Sequence, residues 1–144
     1  DKPSQALWGE LAAKLAQVAR IEPNVEVRVQ LASTAKRLSA RVALPIVRSL
    51  LTRDEDAADP RMPLLIWWAI ESKAESDRDA LLEMLGEVSL WQTPIVRNQI
   101  LERLTRRYAT SGTRQDLLTC AKLLQFAPGS NQVAKLIAGL ELGF

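Results

Sequence analysis

The acidic run Asp54-Glu55-Asp56-Ala57-Ala58-Asp59 places Asp54 and Asp56 at the alternate spacing of carboxylates in a calcium loop. The register then fails. Counting from Asp54, the place that needs glycine is Asp59 and the place that needs a bidentate glutamate is Leu65. The run reads instead as a solvated loop whose acids favour the N-terminus of the following helix. Arg103, Arg106 and Arg107 beside Tyr108 could contact phosphate, yet Glu102 precedes Arg106 by one helical turn, so an intrahelical ion pair is an equally simple account. The chain has one cysteine, Cys120, and no histidine. The usual base for a serine or cysteine nucleophile is therefore missing, as are the usual zinc and haem ligand sets. Cys120 lies between Leu117 and Leu124 and reads as core packing. The glycines are scattered, with Gly112, Gly129 and Gly143 at breaks or at the end, so no phosphate-cradling loop is expected. These patterns predict a segment without catalytic, cofactor-binding or metal-binding residues.

The elements that would position such residues are helical. In 144 residues, 47% are hydrophobic but only 5% aromatic, so leucine and alanine, both strong helix formers, supply the core. The length fits a single domain, residues 1–144, with a self-sufficient core. Nineteen Lys and Arg against seventeen Asp and Glu leave a net charge of +2, which selects no partner. The first residue is Asp1 and the last are Gly143-Phe144, which reads as a piece of a larger protein.

Leu7, Leu11, Leu15 and Val18 predict a first helix from about Ser4 to Arg20, with Ala12, Ala16 and Ala19 on a flank that permits close approach. Glu22-Pro23-Asn24 breaks it. Val27, Leu31, Ala35 and Leu38 predict a second helix, and Ile46, Val47, Leu50 and Leu51 a third, which either starts at Pro45 or is kinked there. A fourth runs from about Arg61 to Lys73. Ser76, with Asp79 three residues on, is the expected cap of a fifth carrying Leu81, Leu82, Leu85 and Val88. Thr93-Pro94 starts a sixth with Ile100, Leu101, Leu104 and Tyr108. Ser111-Gly112-Thr113 ends it and caps a seventh carrying Leu117, Leu118, Ala121 and Leu124. Pro128-Gly129-Ser130 introduces an eighth with Val133, Leu136, Ile137 and Leu140.

The fourth helix, opened by Asp59-Pro60-Arg61-Met62-Pro63, is apolar without a break from Leu64 to Ile70, too short for a membrane span and expected to be buried on every side. Trp67 and Trp68 point about 100° apart. One should pack inside its own hairpin and the other against the next repeat, unless one lines an open surface and anchors a partner.

Pro23, Pro60, Pro94 and Pro128 recur at separations of 37, 34 and 34 residues, a period of helical-hairpin arrays. The stretch Glu22-Pro23-Asn24-Val25-Glu26-Val27-Arg28 looks like the turn of HEAT units. The expected fold is all-α: a right-handed HEAT-like superhelix of about four antiparallel helix pairs, about eight helices in all. Val27 to Ser33, Asp59 to Trp68, Leu101 to Ala109, and Leu117 to Leu124 followed by Ala127-Pro128 together resemble the helical-repeat region of large planctomycete-type haem-binding, membrane-bound-dehydrogenase-like proteins. The resemblance implies a helical connector flanked by a propeller-like dehydrogenase-type domain and a cytochrome-c-type domain, in an exported or periplasmic setting. Any haem would sit in a flanking domain, since this chain has no Cys-x-x-Cys-His.

The function expected is thus a non-catalytic scaffold or interaction domain whose partners are flanking domains or another protein. Its candidate contacts are Trp67, Trp68, Arg103, Arg106 and Arg107. No small-molecule substrate, nucleic-acid partner or membrane insertion by this segment is expected. The alternatives are a free-standing peptide-binding or nucleic-acid-binding helical module and, more weakly, a HEAT-like DNA glycosylase.

Overall fold

The computed structural model describes the backbone of residues 2–144 and the side chains of residues 4–144. These residues form eight α-helices and no strand. In order they are α1 Lys2–Ile21, α2 Val25–Ala35, α3 Ala40–Leu51, α4 Met62–Glu71, α5 Arg78–Leu85, α6 Leu101–Ser111, α7 Arg114–Phe126 and α8 Ser130–Gly143. Short 3-10 segments cover Asp54–Ala58 and Val88–Gln92, and a π-helical turn, Val96–Ile100, runs directly into α6. No helix among the described residues is long and apolar enough to cross a membrane. The chain divides into two compact units, Asp1–Met84 and Leu85–Phe144.

In the first unit α3 is the central element. Val42, Ala43, Leu44, Ile46, Val47, Leu50 and Leu51 are all buried, and α1, α2 and α4 each pack against it. The helix starts at Ala40 and runs through Pro45 rather than beginning there. The missing donor costs about 3 kcal/mol, whereas each large apolar side chain buried around it contributes about 1.5–3 kcal/mol. α2 also packs on α4. Its buried positions are Arg28, Ala32 and Ala35, while Val27 is exposed and the helix gives way to turns after Ala35.

α1 packs on α3 with Ala12 and Ala19 buried, while of the expected stripe Leu7 and Leu11 are exposed, Leu7 at 65%, and Leu15 and Val18 are half-buried. A row of alanines lets two backbones approach closely. α4 corrects a second expectation. Met62, Pro63, Ile66, Trp67, Ala69 and Ile70 are buried, but Leu64 and Trp68 are exposed, so the helix has an open side.

In the second unit α6 is central, with α7 and α8 both against it and α8 the more extensively. Ile100, Leu101, Leu104 and Tyr108 are buried as expected. α8 uses the expected stripe only in part: Leu136 is buried and Val133 and Leu140 are half-buried, but Ile137 is exposed and Gln132 and Gly139 also face inward. A methyl group added at Gly139 would overlap Thr105 Oγ1 and the Glu102 carbonyl, and one at Gly143 would lie 2.5 Å from Ala109 Cβ. Gly143 therefore belongs to this close backbone approach and not to a break.

α7 departs furthest from its apolar pattern. Its buried residues are Asp116, Thr119, Cys120 and Leu123, whereas Leu117 is exposed and Leu118 is 59% exposed. The polar members of that face are satisfied locally. Asp116 and Thr113 form a reciprocal capping box, with Gly112 at φ 65° preceding it, and Thr119 Oγ1 donates to the Gln115 carbonyl at 2.8 Å. Residues 72–77 form turns, so Ser76 does not cap α5; its hydroxyl donates to Asp77 at 2.8 Å and the helix begins at Arg78. Val88 lies outside that helix and is exposed. Trp91, which no apolar stripe includes, is fully buried, with its indole N–H donating to the Leu85 carbonyl at 2.7 Å.

Candidate functional site

The open side of α4 faces α2 across a shallow hollow of about 340 Å³ lined by Ala32, Ser33, Lys36, Arg37, Leu65 and Trp68. Sequence places Trp67 and Trp68 side by side, and the helix separates them: Trp67 is 7% exposed and packs inward, Trp68 is 42% exposed. The Lys36 ammonium lies 5.8 Å from the centre of the Trp68 ring, within range of a cation–π attraction.

Two polar clamps fix the helices that form this hollow. At one end the Arg61 guanidinium grips Glu26 through two hydrogen bonds, 2.7 and 3.2 Å, tying the start of α4 to the first turn of α2. Those hydrogen bonds hold the Glu26 carboxyl below its ordinary range and raise Arg61. At the other end Lys73, itself buried, donates from Nζ to the Lys36 carbonyl at 3.1 Å, and Ser72 Oγ reaches the same oxygen at 3.4 Å. Burial pushes the Lys73 ammonium below the usual lysine range. The helix starts are fixed by side chains as well. Asn24 accepts from the Glu26 N–H at 2.8 Å to cap α2, and Asp59 accepts from the Arg61 and Met62 N–H groups at 2.8 and 3.0 Å to open α4. Those two backbone donors hold the Asp59 carboxyl below its ordinary range.

The acidic run is thus only partly a solvated loop. Asp59 performs the helix-opening role expected of it, but Asp56 is buried and takes a bidentate hydrogen bond from Arg28, Nε to Oδ2 at 2.8 Å and Nη2 to Oδ1 at 2.6 Å. Arg28 Nη1 donates to the Glu22 carbonyl at 2.9 Å. Arg53 donates to the Ala19, Arg20 and Glu22 carbonyls at 2.9, 3.1 and 2.9 Å. Two guanidiniums therefore satisfy carbonyls at the C-terminal end of α1, where the helix leaves orphan acceptors and a partial negative charge. This network is structural. It joins α1, α2 and the segment before α4 through contacts about 30 residues apart, so local spacing carries no sign of it.

Arg103, Arg106 and Arg107 lie on α6. Arg103 Nη1 donates to the Gln99 side chain at 3.0 Å and Arg107 Nη1 to Ser111 Oγ at 2.6 Å, so both are laid along their own helix. Arg106 is exposed, and among the described residues no ion pair joins it to Glu102. Cys120 is buried, with Sγ 3.9 Å from the Thr105 carbonyl. No group of three or more His, Cys, Asp or Glu among the described residues could hold a metal ion.

A second hollow, of about 330 Å³, lies beside the start of α8 and is lined by Gln92, Arg97 and residues 128–132. Gln132 spans it, donating to the Trp91 carbonyl at 3.4 Å and to Gln92 Oε1 at 3.3 Å.

Of the five candidate contacts, then, only Trp68 lines the hollow on α4. Lys36, Arg37 and Leu65 join it there without having been singled out. The one available signal was a basic pair closing α2, which becomes informative only once α2 and α4 are known to be neighbours. No family model, no curated protein and no solved structure matches the chain.

Proposed function

We propose that this chain is a non-catalytic HEAT-like scaffold that docks a partner protein or holds neighbouring domains of a larger haem-binding, dehydrogenase-like protein. The observation that carries the reading is the large apolar side chains left in water on otherwise packed helices: Leu7, Trp8 and Leu11 on α1, Trp68 on α4, and Leu117 and Leu118 on α7. Large apolar side chains grouped at the surface, as Leu7, Trp8 and Leu11 are on α1, mark interaction sites.

Support for a solenoid of hairpins comes from the packing of alternate helices within each unit, α1 on α3, α2 on α4 and α6 on α8, as stacked hairpins require. In this reading haem belongs to a flanking domain and the protein works in an exported compartment. Arg103 and Arg107 act along their own helix, and contact of the α6 arginines with phosphate is not part of this reading.

The reading is tested by sedimentation velocity and hydrophobic-dye binding on the 144-residue chain. Dye binding with reversible self-association is expected; a dye-silent, strictly monomeric chain contradicts it. Titration with duplex DNA at low salt and an assay on alkylated DNA test the nucleic-acid and glycosylase alternatives. Both are expected to be negative, and binding with a steep salt dependence would favour the former.

A further inference from the structure

We propose that the hollow between α2 and α4 binds an acidic peptide segment of a partner protein. An apolar side chain of that segment would lie against Leu65 and Trp68, and its carboxylates would meet Lys36 and Arg37. This assignment rests on the docking reading above and gives that docking one site and one chemistry.

Three observations converge on it. The hollow, about 340 Å³, is at the small end of ligand pockets, which span about 300–1,000 Å³, and suits one or two side chains better than a cofactor. Its apolar lining comes from Ala32, Leu65 and Trp68, and tryptophan is among the side chains most enriched at binding hot spots. Its charge is one-sided. Lys36 and Arg37 are both exposed, and no acid among the described residues forms an ion pair with either. The Lys36 carbonyl at the end of α2 already accepts from Lys73, so the partial negative charge of the helix end is answered from inside the fold. Among the described residues the Lys36 ammonium touches only the Trp68 ring and Arg37 has no acidic partner, so both cations can take an external anion beside that ring.

Outside the hollow, where the start of α4 meets the first turn of α2, Arg61 is bound to Glu26, so it does not continue the positive charge there. Nucleic acid needs a stripe of cations tracking successive phosphates. An anionic membrane surface is bound by apolar side chains that protrude between lipids, not by a concavity. A short acidic segment with an apolar residue matches a compact basic end beside an aromatic hollow.

The test is fluorescence anisotropy with a labelled hexapeptide carrying a Leu-Phe pair between two glutamate pairs, alongside the same peptide with lysines in place of the glutamates. The expected result is saturable binding of the acidic peptide that weakens with salt. Binding should be at least about tenfold weaker for Trp68→Ala. The double variant Lys36→Glu/Arg37→Glu should prefer the lysine peptide. Thermal unfolding of Trp68→Ala should stay close to wild type, which separates lost binding from lost folding.

No saturation, equal binding of both peptides, or unchanged affinity in the variants overturns the proposal. So does displacement of the peptide by duplex DNA or by phosphatidylserine vesicles that themselves bind through Trp68. If the peptide fails while dye binding and self-association are observed, this assignment falls and the docking reading stands. If those fail too, both fall.

Discussion

Trp67 and Trp68 are adjacent in sequence and opposite in circumstance, one packed among α4's buried neighbours and the other beside Lys36 at the surface. Trp67→Ala is expected to cost about 3–5 kcal/mol, through lost burial and the cavity left behind. Trp68→Ala should cost less than about 1 kcal/mol. Denaturant unfolding of both variants reads the difference. Helical geometry alone separates the two rings, but both are flanked by apolar residues, so spacing does not say which one is inside. The Arg28–Asp56 pair was less legible still, because its partners are 28 residues apart and Asp56 sits in a run that otherwise resembles solvated loop. Removing one partner of a buried pair strands the other charge, so Asp56→Ala is expected to cost about 3–5 kcal/mol. Arg28→Met/Asp56→Leu should cost less than the single change, as a double-mutant cycle would measure.

At the scale of the element, the best-read helix is α6, whose strongly amphipathic sequence puts Ile100, Leu101, Leu104 and Tyr108 on the buried face. The cap of α7 at Thr113 and the opening of α4 at Asp59 were equally legible, because capping is local chemistry. The faces of α1, α7 and α8 were not. Each buries small or self-satisfied residues where a count of hydrophobic positions expects leucine, and leaves at least one large apolar side chain exposed, Leu7 on α1, Leu118 on α7 and Ile137 on α8, although Leu136 is buried as expected. Gly139→Leu should therefore destabilise by at least about 1–3 kcal/mol, because the bulk has nowhere to go beside Thr105. Leu118→Gln should change stability by less than about 0.5 kcal/mol.

The opening of α4 also sets a pH dependence. Asp59 is held below its unfolded value by the Arg61 and Met62 N–H groups, so its contribution is fully present above that value, near pH 3.9, and is lost as pH falls through the lower folded one. Stability measured from pH 6 to pH 2 should fall less steeply in Asp59→Asn, whose amide oxygen still accepts both bonds. An unchanged slope would mean that the carboxylate contributes nothing there.

For the whole molecule, large apolar side chains lie exposed on helix faces in both compact units. The all-helical class followed from composition and proline spacing. The open faces did not, because periodicity identifies a stripe without saying what covers it. We propose that these open faces are docking surfaces. That role is tested most directly by sedimentation velocity across a range of concentrations, comparing the wild-type chain with a variant carrying Leu7→Glu, Leu11→Glu, Leu117→Gln and Leu118→Gln. Concentration-dependent association is expected in the wild type and should disappear in the variant, with thermal stability retained. A wild-type chain that stays monomeric at every concentration, or a variant that unfolds because those leucines hold the core, would contradict it.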